Sequence, residues 1–308
     1  MMVKNGFIDL HTHTIYSDGG LTPTELVQKA KETGLAAIAI ADHDSVSGLP
    51  EGFAEAERQG VELVPAIEMS SYPNDKTEYH ILGYFIDWED KWLQDTLAHF
   101  QKVREERAEK VVEKLKELGY KITFDEVKAQ AKGTIVQPHI AYVVVNDPEN
   151  SEKLTREFGQ MPKTGDFIRE HLIPGKDAYI AREKLTPKEA IELIHRVGGI
   201  AVLAHPCWNL CKKVEDKLVF DDQPLAELVQ IGLDGIEVYC HRENEADTKE
   251  AVEHYLQKAR LLNLVVSGGS DFHGYGSAGK QLGFTDFYLK VQYSVLQELK
   301  SFKVRSRM

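Results

Sequence analysis

The chain has 308 residues, of which 42% are hydrophobic and 28% are charged, as is usual for a globular protein. Its length suits one large α/β domain, or one domain that carries an insertion. The formal net charge of −12 disfavours generic binding to nucleic-acid backbones and anionic membranes, so we expect no membrane partner and no stable duplex nucleic-acid partner. The three cysteines do not suggest a disulfide framework, no leader sequence is recognisable, and no apolar run could span a bilayer; we therefore expect a cytoplasmic protein.

The first pattern in the chain is a short predicted strand that runs into two histidines, in the stretch Phe7–His13. Residues i and i+2 of an extended chain point to the same side, so the imidazoles of His11 and His13 can face one point. Such a pair indicates a metal ion, although an isolated His-x-His is a weak signal. A turn-rich segment then places the carboxylate of Asp18 near the two histidines.

A helix should follow, because Thr22 and Glu25 form a capping box with Pro23 at the first helical position, and Gly34 should end it. The same capping pattern recurs at Thr186 before a second helix. Several predicted strands have a potential metal ligand at or near one end. Strands at 35–41, 61–67, 200–204 and 264–269 end shortly before His43, Glu68, His205, Asp271 and His273, and a strand at 79–85 has His80 near its start.

Alternation of strands and helices predicts a parallel sheet. In a closed barrel of such units the site lies at the C-terminal face and is built from several strand ends, whereas an open doubly wound sheet uses fewer strands. Contributions from about six strands favour the barrel.

Residues 88–181 interrupt this alternation. They divide the chain into a first barrel part at 1–87, an insertion at 88–181 and a second barrel part at 182–308. Apolar spacing predicts one long helix from Leu93 to Leu118, and Thr123 should cap a shorter helix. We interpret the insertion as a mainly helical cap over the barrel mouth; the alternative is a second domain with its own role.

Nine candidate metal ligands emerge from these patterns: His11, His13, Asp18, His43, Glu68, His80, His205, Asp271 and His273. Histidine and carboxylate ligands without thiolates suit zinc, manganese or iron. Nine groups exceed what one ion can use. We therefore expect two or three divalent ions (Mn²⁺, Zn²⁺ or Fe²⁺), with at least one bridging carboxylate.

Four motifs carry a family resemblance, with Glu68 and His80 between them: His11-Thr12-His13 with Asp18, Ala41-Asp42-His43-Asp44, Ala204-His205-Pro206, and Ser270-Asp271-Phe272-His273. In these motifs and their order the chain resembles the PHP domain, named for polymerase and histidinol phosphatase. The resemblance covers the two barrel parts. It implies a distorted (β/α)7 barrel that hydrolyses phosphate esters at a two- or three-metal (trinuclear) centre.

The resemblance also implies a ligand assignment and a mechanism. It gives one ion to His11, His13, Glu68 and Asp271, a second to Glu68, His80 and His205, and a third to Asp18, His43 and His273. A hydroxide on the metal ions would attack phosphorus without a covalent intermediate. The residues expected to act in catalysis are Asp18, His43, Glu68, His205 and Asp271. We expect the proton for the leaving oxygen to come from a metal-bound water or from a carboxylic acid such as Asp18.

Within the family the chain looks most similar to stand-alone phosphoesterases that remove the 3′-phosphate of 3′,5′-bisphosphonucleotides, and to members that degrade short RNA from its 5′ end. This similarity rests on the long insertion and on Gln137-Pro138-His139, where the family pattern has arginine in place of Gln137. It implies that the substrate is a small phosphorylated molecule with a phosphate monoester: a bisphosphonucleotide, a nucleoside monophosphate or a short 5′-phosphorylated oligonucleotide.

Substrate phosphates need donors beyond the metal ions, and Arg104, Arg107, His139 and Arg182 are the candidates. Arg107 falls within the apolar stripe of the long insertion helix, where an exposed arginine is not expected. It either turns towards the mouth and binds phosphate through two N–H groups, or it covers apolar surface with its stem.

Three other functions stay open at this point: a histidinol-phosphate phosphatase, an amidohydrolase-like hydrolase of C–N bonds, and a metal barrel that serves only as a structural domain. The full ligand set disfavours the structural role. The amidohydrolase is disfavoured because no lysine is placed to be a carbamylated bridge between ions, and Glu68 fills the bridging position.

Overall fold

The computed structural model describes residues 6–74, 77–131, 135–181, 183–242, 244–274, 281–284 and 289–306. Its centre is an eight-stranded sheet in the order β10-β1-β2-β3-β4-β5-β8-β9, and strands β6 and β7 form a separate hairpin. The strands are β1 (Phe7–Thr12), β2 (Leu35–Ile40), β3 (Glu62–Ser71), β4 (Tyr79–Tyr84), β5 (Ile200–Leu203), β6 (Cys211–Val214), β7 (Lys217–Phe220), β8 (Gly235–Tyr239), β9 (Val265–Gly268) and β10 (Val291–Gln292).

Eleven α-helices lie among the described residues: α1 (Pro23–Thr33), α2 (Leu49–Gln59), α3 (Lys91–Glu117), α4 (Phe124–Gln130), α5 (Gln137–Asn146), α6 (Ser151–Phe158), α7 (Thr164–Phe167), α8 (Pro187–Arg196), α9 (Gln223–Gln230), α10 (Glu245–Leu262) and α11 (Tyr293–Ser306). Short 3-10 segments lie at Pro148–Asn150, Pro206–Trp208 and Leu282–Phe284, and a π turn lies at Ile168–Leu172. None of the described helices combines the length and apolar character needed to cross a bilayer.

Local capping explains where several helices begin. The Thr22 and Thr186 side chains accept hydrogen bonds from the amides three residues on, and Glu25 and Glu189 return the bond, so both predicted capping boxes are confirmed. A third capping box, at Thr123, begins α4. The predicted end of α1 is also confirmed, because Gly34 has a left-handed backbone with φ of 79°.

The sheet is mixed, which differs from the all-parallel prediction. Strand β4 runs antiparallel to both β3 and β5, and β10 runs antiparallel to β1. The reason is the length of the connection: only residues 72–78 join β3 to β4, and a parallel crossover needs a dozen residues or more. The reversal places the start of β4, and hence His80, at the same edge as the ends of its neighbours.

The sheet curls into a nearly closed barrel. The segment after β9 reaches β1, where the His13 amide donates to the Phe272 carbonyl at 2.9 Å. Gly269 allows this approach, because a Cβ at that position would lie 2.3 Å from the Cβ of His11. The α/β barrel with a helical insertion expected from the resemblance is thereby confirmed in its overall architecture.

Two apolar layers sandwich the barrel wall. The inner layer includes Leu10, Val64, Leu82 and Val202, and residues of α11 close its lower end. The outer layer packs the other face of the strands against the surrounding helices. The helical segment between β4 and α8 has a third apolar core of its own, which includes Val111, Ile140, Leu154 and Phe167.

Candidate metal centre

Glu68 lies at the centre of the polar cluster and is fully buried. Five imidazoles surround its carboxylate. Oε2 lies 3.2 Å from His11 Nε2, 3.3 Å from His13 Nε2 and 3.0 Å from His43 Nδ1, and Oε1 lies 3.1 Å from His80 Nδ1 and 3.0 Å from His205 Nε2. Each oxygen of the carboxylate therefore faces a different set of histidines.

The remaining carboxylates lie on one side of this cluster. Asp271 Oδ1 is 3.1 Å from His13 Nε2 and 3.6 Å from His11 Nε2. Asp18 Oδ1 is 3.2 Å from His273 Nε2. The structure thus brings together all nine side chains that the sequence indicated, although they come from segments spread over more than 260 residues.

Among the described residues, three groups of potential ligand atoms can be distinguished, and within each group all atoms lie within 4.8 Å of one another. They are His11, His13, Glu68 and Asp271; His43, Glu68 and His80; and His13, Asp18, His43 and His273. Glu68 belongs to two groups, and so do His13 and His43. Because the groups share members, their side chains form one continuous set of potential ligands and not three separate sets.

Several of these atoms are buried and accept or donate no hydrogen bond within the described chain. They include His11 Nε2, His13 Nε2, Asp18 Oδ1, His43 Nδ1 and Glu68 Oε2. Buried polar atoms are almost always paired, and an orphan group costs roughly 1–3 kcal/mol. Imidazole nitrogens that face carboxylate oxygens at ligand spacing fit divalent cations such as zinc, manganese or iron.

Burial and neighbouring charges shift the pKa values of the clustered histidines. Burial lowers the pKa of His13, but the facing carboxylates of Asp271 and Glu68 outweigh it and raise the pKa to about 9. Burial also lowers the pKa of His43, to about 4, assisted by the charges of His13 and His80. Adjacent histidines are thus shifted in opposite directions. Cations that bind the neutral imidazoles would remove this conflict.

Backbone irregularities aim the ligands. Ile8 and Leu10 of β1 face the barrel interior, so strict alternation along the strand would turn the His11 side chain away from it. The pairing of β1 with β2 is irregular between Asp9 and Thr12, and this irregularity turns the His11 side chain inward again. His205 and Asp271 have φ values of 26° and 53°, a region that non-glycine residues rarely adopt. Such conformations cost about 1–3 kcal/mol each and concentrate at functional sites.

Buried carboxylates around the cluster hold the ligands in place. Glu237 Oε1 lies 3.0 Å from His11 Nδ1, and Glu237 Oε2 accepts the His205 amide at 2.7 Å. Asp42 accepts hydrogen bonds from Thr14 and Ser17 in the loop that carries Asp18. The two contacts of Glu237 were not predicted, although a lone acidic residue within an apolar strand is a usable signal.

A cavity of about 560 Å³ opens directly on the cluster. On one side it is lined by Asp18, His43 and His80, and on the other by residues of the helical insertion. The insertion contributes Arg104 and Arg107 from α3 and Gln137 from the start of α5, among others. The barrel and the insertion therefore share one pocket.

The predicted phosphate donors have different surroundings. Arg104 forms an ion pair with Asp44 and donates to Ser70 Oγ at 3.3 Å, and Arg107 Nε donates to the Ile180 carbonyl at 2.7 Å. Both arginines line the cavity. His139 does not; its Nδ1 accepts the Val136 amide at 3.3 Å. Arg182 lies outside the described residues.

Comparison with known proteins decides the family. The PHP domain profile matches residues 9–122. A 5′-3′ exoribonuclease of Haemophilus influenzae is 32% identical over 288 residues, which cover 92% of this chain and 97% of that protein. The chain belongs to the PHP domain family.

Further relatives extend the PHP assignment over nearly the whole chain. A 3′,5′-nucleoside bisphosphate phosphatase of Chromobacterium violaceum is 30% identical, with 96% of each protein covered. A solved structure from Bifidobacterium adolescentis, assigned as a metal-dependent phosphoesterase, superposes with a TM-score of 0.74 at 28% identity and covers 96% of this chain and 95% of that one. The predicted PHP resemblance is confirmed, and the protein is a metal-dependent hydrolase of phosphate esters.

Proposed function

We propose that this PHP protein hydrolyses a phosphate monoester of a nucleotide. The candidate substrates are the 3′-phosphate of a 3′,5′-bisphosphonucleotide, a nucleoside monophosphate and a short 5′-phosphorylated oligonucleotide. Relatives named as a bisphosphate phosphatase and an exoribonuclease support this class. The three cysteines are free thiols, which is consistent with the predicted cytoplasmic location.

The observation that carries the proposal is the junction of the ligand cluster with a cavity that contains two arginines. Ligand pockets typically measure about 300–1,000 Å³, and the cavity of about 560 Å³ suits a single nucleotide. A guanidinium binds phosphate through parallel N–H groups, so Arg104 and Arg107 are proposed phosphate contacts. We accordingly propose that residues 88–181 form a cap that completes the substrate site. His139 is a weaker candidate because it does not line the cavity.

The nine clustered residues are proposed as the ligands of two or three divalent ions, Mn²⁺, Zn²⁺ or Fe²⁺. The shared membership of Glu68 supports its role as the bridging carboxylate between ions. His205 belongs to none of the three groups defined by the 4.8 Å limit. Its Nε2 nevertheless lies 3.2 Å from His80 Nδ1 and 3.0 Å from Glu68 Oε1. We assign His205 to the ion held by Glu68 and His80.

When bound, divalent ions neutralise phosphate charge and acidify a coordinated water. The chain's own residues have complementary tasks. Glu68 keeps two ligand sets together, and the arginines orient the phosphate. Asp18 lines the cavity and is the proposed proton donor to the leaving oxygen. Burial raises the pKa of Asp18, but the charges of His43 and His273 hold it well below its usual range.

A phosphate-release screen with added Mn²⁺ tests the proposal. The substrates are nucleoside monophosphates, a 3′,5′-bisphosphonucleotide, a short 5′-phosphorylated RNA and histidinol phosphate. We expect release from at least one nucleotide and loss of release in Glu68→Gln. Release from histidinol phosphate alone, or from none of these, would contradict the nucleotide assignment. Asp18→Asn with normal metal content and normal turnover would remove Asp18 as the proton donor.

A further inference from the structure

Glu78 is a carboxylate that lines the substrate cavity but is not one of the nine clustered residues. It immediately precedes β4 and stands two residues before His80. Residues i and i+2 of an extended chain point to the same side, so the two side chains are neighbours. Glu78 Oε1 lies 3.3 Å from His80 Nε2. The cavity wall therefore contacts a candidate metal ligand directly.

The two ring nitrogens of His80 face different surroundings. Nδ1 points into the cluster, where it lies 3.1 Å from Glu68 Oε1 and 3.2 Å from His205 Nε2. Nε2 faces Glu78. A neutral imidazole carries one proton, so ligation through Nδ1 leaves that proton on Nε2. Glu78 is placed to accept it in a hydrogen bond, which fixes the ring orientation and makes Nδ1 more basic.

The Glu78 carboxylate is itself held in place by Tyr72, the first residue after β3. The Tyr72 hydroxyl donates to Glu78 Oε1, and the Tyr72 amide donates to the Leu185 carbonyl at 2.8 Å. The Lys184 ammonium lies over the Tyr72 ring, 4.4 Å from its centroid. Glu78 is therefore oriented by a side chain that is anchored to the segment before α8.

The main chain of Glu78 contacts a second part of the site. Its carbonyl accepts a hydrogen bond from Asn209 Nδ2 at 2.5 Å, and Asn209 directly follows the 3-10 turn that begins after His205. Glu78 thus contacts His80 through its side chain and the turn after His205 through its carbonyl. These are the two histidines that we assigned to one ion, so a single residue supports both.

A direct contact between Glu78 and a substrate phosphate is disfavoured by charge. Carboxylate and phosphate are both anionic, and like charges in contact repel each other. The cations suited to phosphate lie instead on α3, in Arg104 and Arg107. Contact with the histidine is the favourable interaction that remains for this carboxylate. The Glu78 side chain is 43% exposed, so water weakens the interaction without removing it.

We propose that Glu78 is a positioning residue that accepts the Nε2 proton of His80 and presents Nδ1 to one ion of the cluster. This inference rests on the proposed function, because it takes His80 as a metal ligand. Glu78 binds no ion itself and transfers no proton to the substrate. Its loss should therefore weaken one ion and leave the ion of His11, His13 and Asp271 bound.

Metal binding by the full chain tests the proposal without measuring turnover. Each protein is dialysed against graded concentrations of free Mn²⁺, and the bound ions per chain are counted. We expect Glu78→Ala to lower the affinity for one ion by about 10-fold, the lower end for such supporting groups, because the carboxylate is partly exposed. Glu78→Gln, which keeps an acceptor oxygen, should lose less. Glu298→Gln, at an exposed position of α11, is the control and should match wild type.

Wild-type affinity for every ion in Glu78→Ala overturns the proposal, and so does an equal loss of affinity for all ions. Equal losses in Glu78→Ala and Glu78→Gln contradict the hydrogen bond to His80. A KM for the nucleotide that rises in Glu78→Ala, with metal affinity unchanged, would make Glu78 a substrate contact instead. If the wild type binds Mn²⁺ but hydrolyses no nucleotide, the proposed function fails, while the metal counts still decide the role of Glu78.

Discussion

Glu237 fixes the orientation of His11, because its Oε1 lies 3.0 Å from His11 Nδ1 and both side chains are fully buried. A carboxylate that accepts the Nδ1 proton leaves Nε2 free to ligate a metal and makes it more basic. The other oxygen of Glu237 accepts the amide of His205. One strand residue thus supports two ligands that lie on opposite sides of Glu68.

Replacing Glu237 with glutamine tests this support. A glutamine side chain has one acceptor and one donor, so it cannot accept from both His11 and His205. We expect Glu237→Gln to weaken metal affinity by about 10- to 100-fold, as losses of such supporting groups usually do. Metal content after dialysis and a titration with Mn²⁺ measure the effect. The exposed Glu298→Gln is the control, and equal metal affinity in the two variants would contradict the role of Glu237.

Metal ions should also stabilise the fold. They would bind a cluster in which several buried atoms otherwise lack hydrogen bonds, and that cluster exists only in the folded chain. Binding to the native state alone contributes about 2.7 kcal/mol when the free ion is at 100 times its dissociation constant. We therefore expect a chelator to lower Tm and Mn²⁺ to restore it. Calorimetry of Glu68→Gln should show a much smaller increase with Mn²⁺, while Glu298→Gln should behave as wild type. A Tm that does not respond to the chelator in wild type rules out this stabilisation.

Much of the site could be predicted because its ligands follow strands that are recognisable from apolar runs. The reversed direction of β4 was missed, although His80 stands near the start of its predicted strand while the other candidate ligands follow the ends of theirs. The irregularity in β1 was also missed, because alternation alone cannot show whether Leu10 or His11 faces the interior. Contacts such as that of Glu237 with His11 join distant parts of the chain, which local patterns do not encode.

Arg104 should act both on substrate binding and on stability, and the two effects can be separated. Arg104 and Asp44 form a largely buried ion pair, and Asp44 Oδ1 also accepts the Ser70 amide at 3.0 Å. Removing one member of such a pair leaves an uncompensated charge and costs roughly 3–5 kcal/mol. We expect Arg104→Met to lower the free energy of unfolding by this order. The double variant Arg104→Met with Asp44→Asn should recover most of the loss.

Substrate affinity should not recover in the double variant. Hydrogen bonds to charged groups contribute about 1.5–3 kcal/mol, so loss of the phosphate contact should raise KM by roughly 10- to 100-fold in both variants. Urea denaturation and steady-state kinetics measure the two quantities on the same preparations. If KM returns to the wild-type value when stability does, Arg104 has only a structural role and the proposed phosphate contact is wrong.

Stability should depend on pH through His195, which lies in the last turn of α8. Its Nε2 is 2.7 Å from Asp234 Oδ2, which also accepts the Ala201 amide at 2.8 Å. The hydrogen bond that His195 donates to Asp234 raises the pKa of His195 above its ordinary value, although burial opposes the shift. The folded state therefore binds this proton more tightly than the unfolded state. The contribution is complete below the unfolded pKa of about 6.5 and is lost as pH rises through the folded pKa.

His195→Gln should accordingly destabilise the protein more at pH 6 than at pH 9. Because the pair is partly exposed, we expect a difference of only about 0.5–1 kcal/mol between the two pH values. His99→Gln is the matched control, since His99 also faces a carboxylate, Glu183, at 3.0 Å, but both side chains are more than half exposed. Urea unfolding of the three proteins at both pH values measures the effect. Titration of the metal cluster is common to all three proteins and therefore cancels in the comparison. An equal loss of stability in His195→Gln at pH 6 and pH 9 would show that the interaction with Asp234 does not depend on the charge of the imidazole.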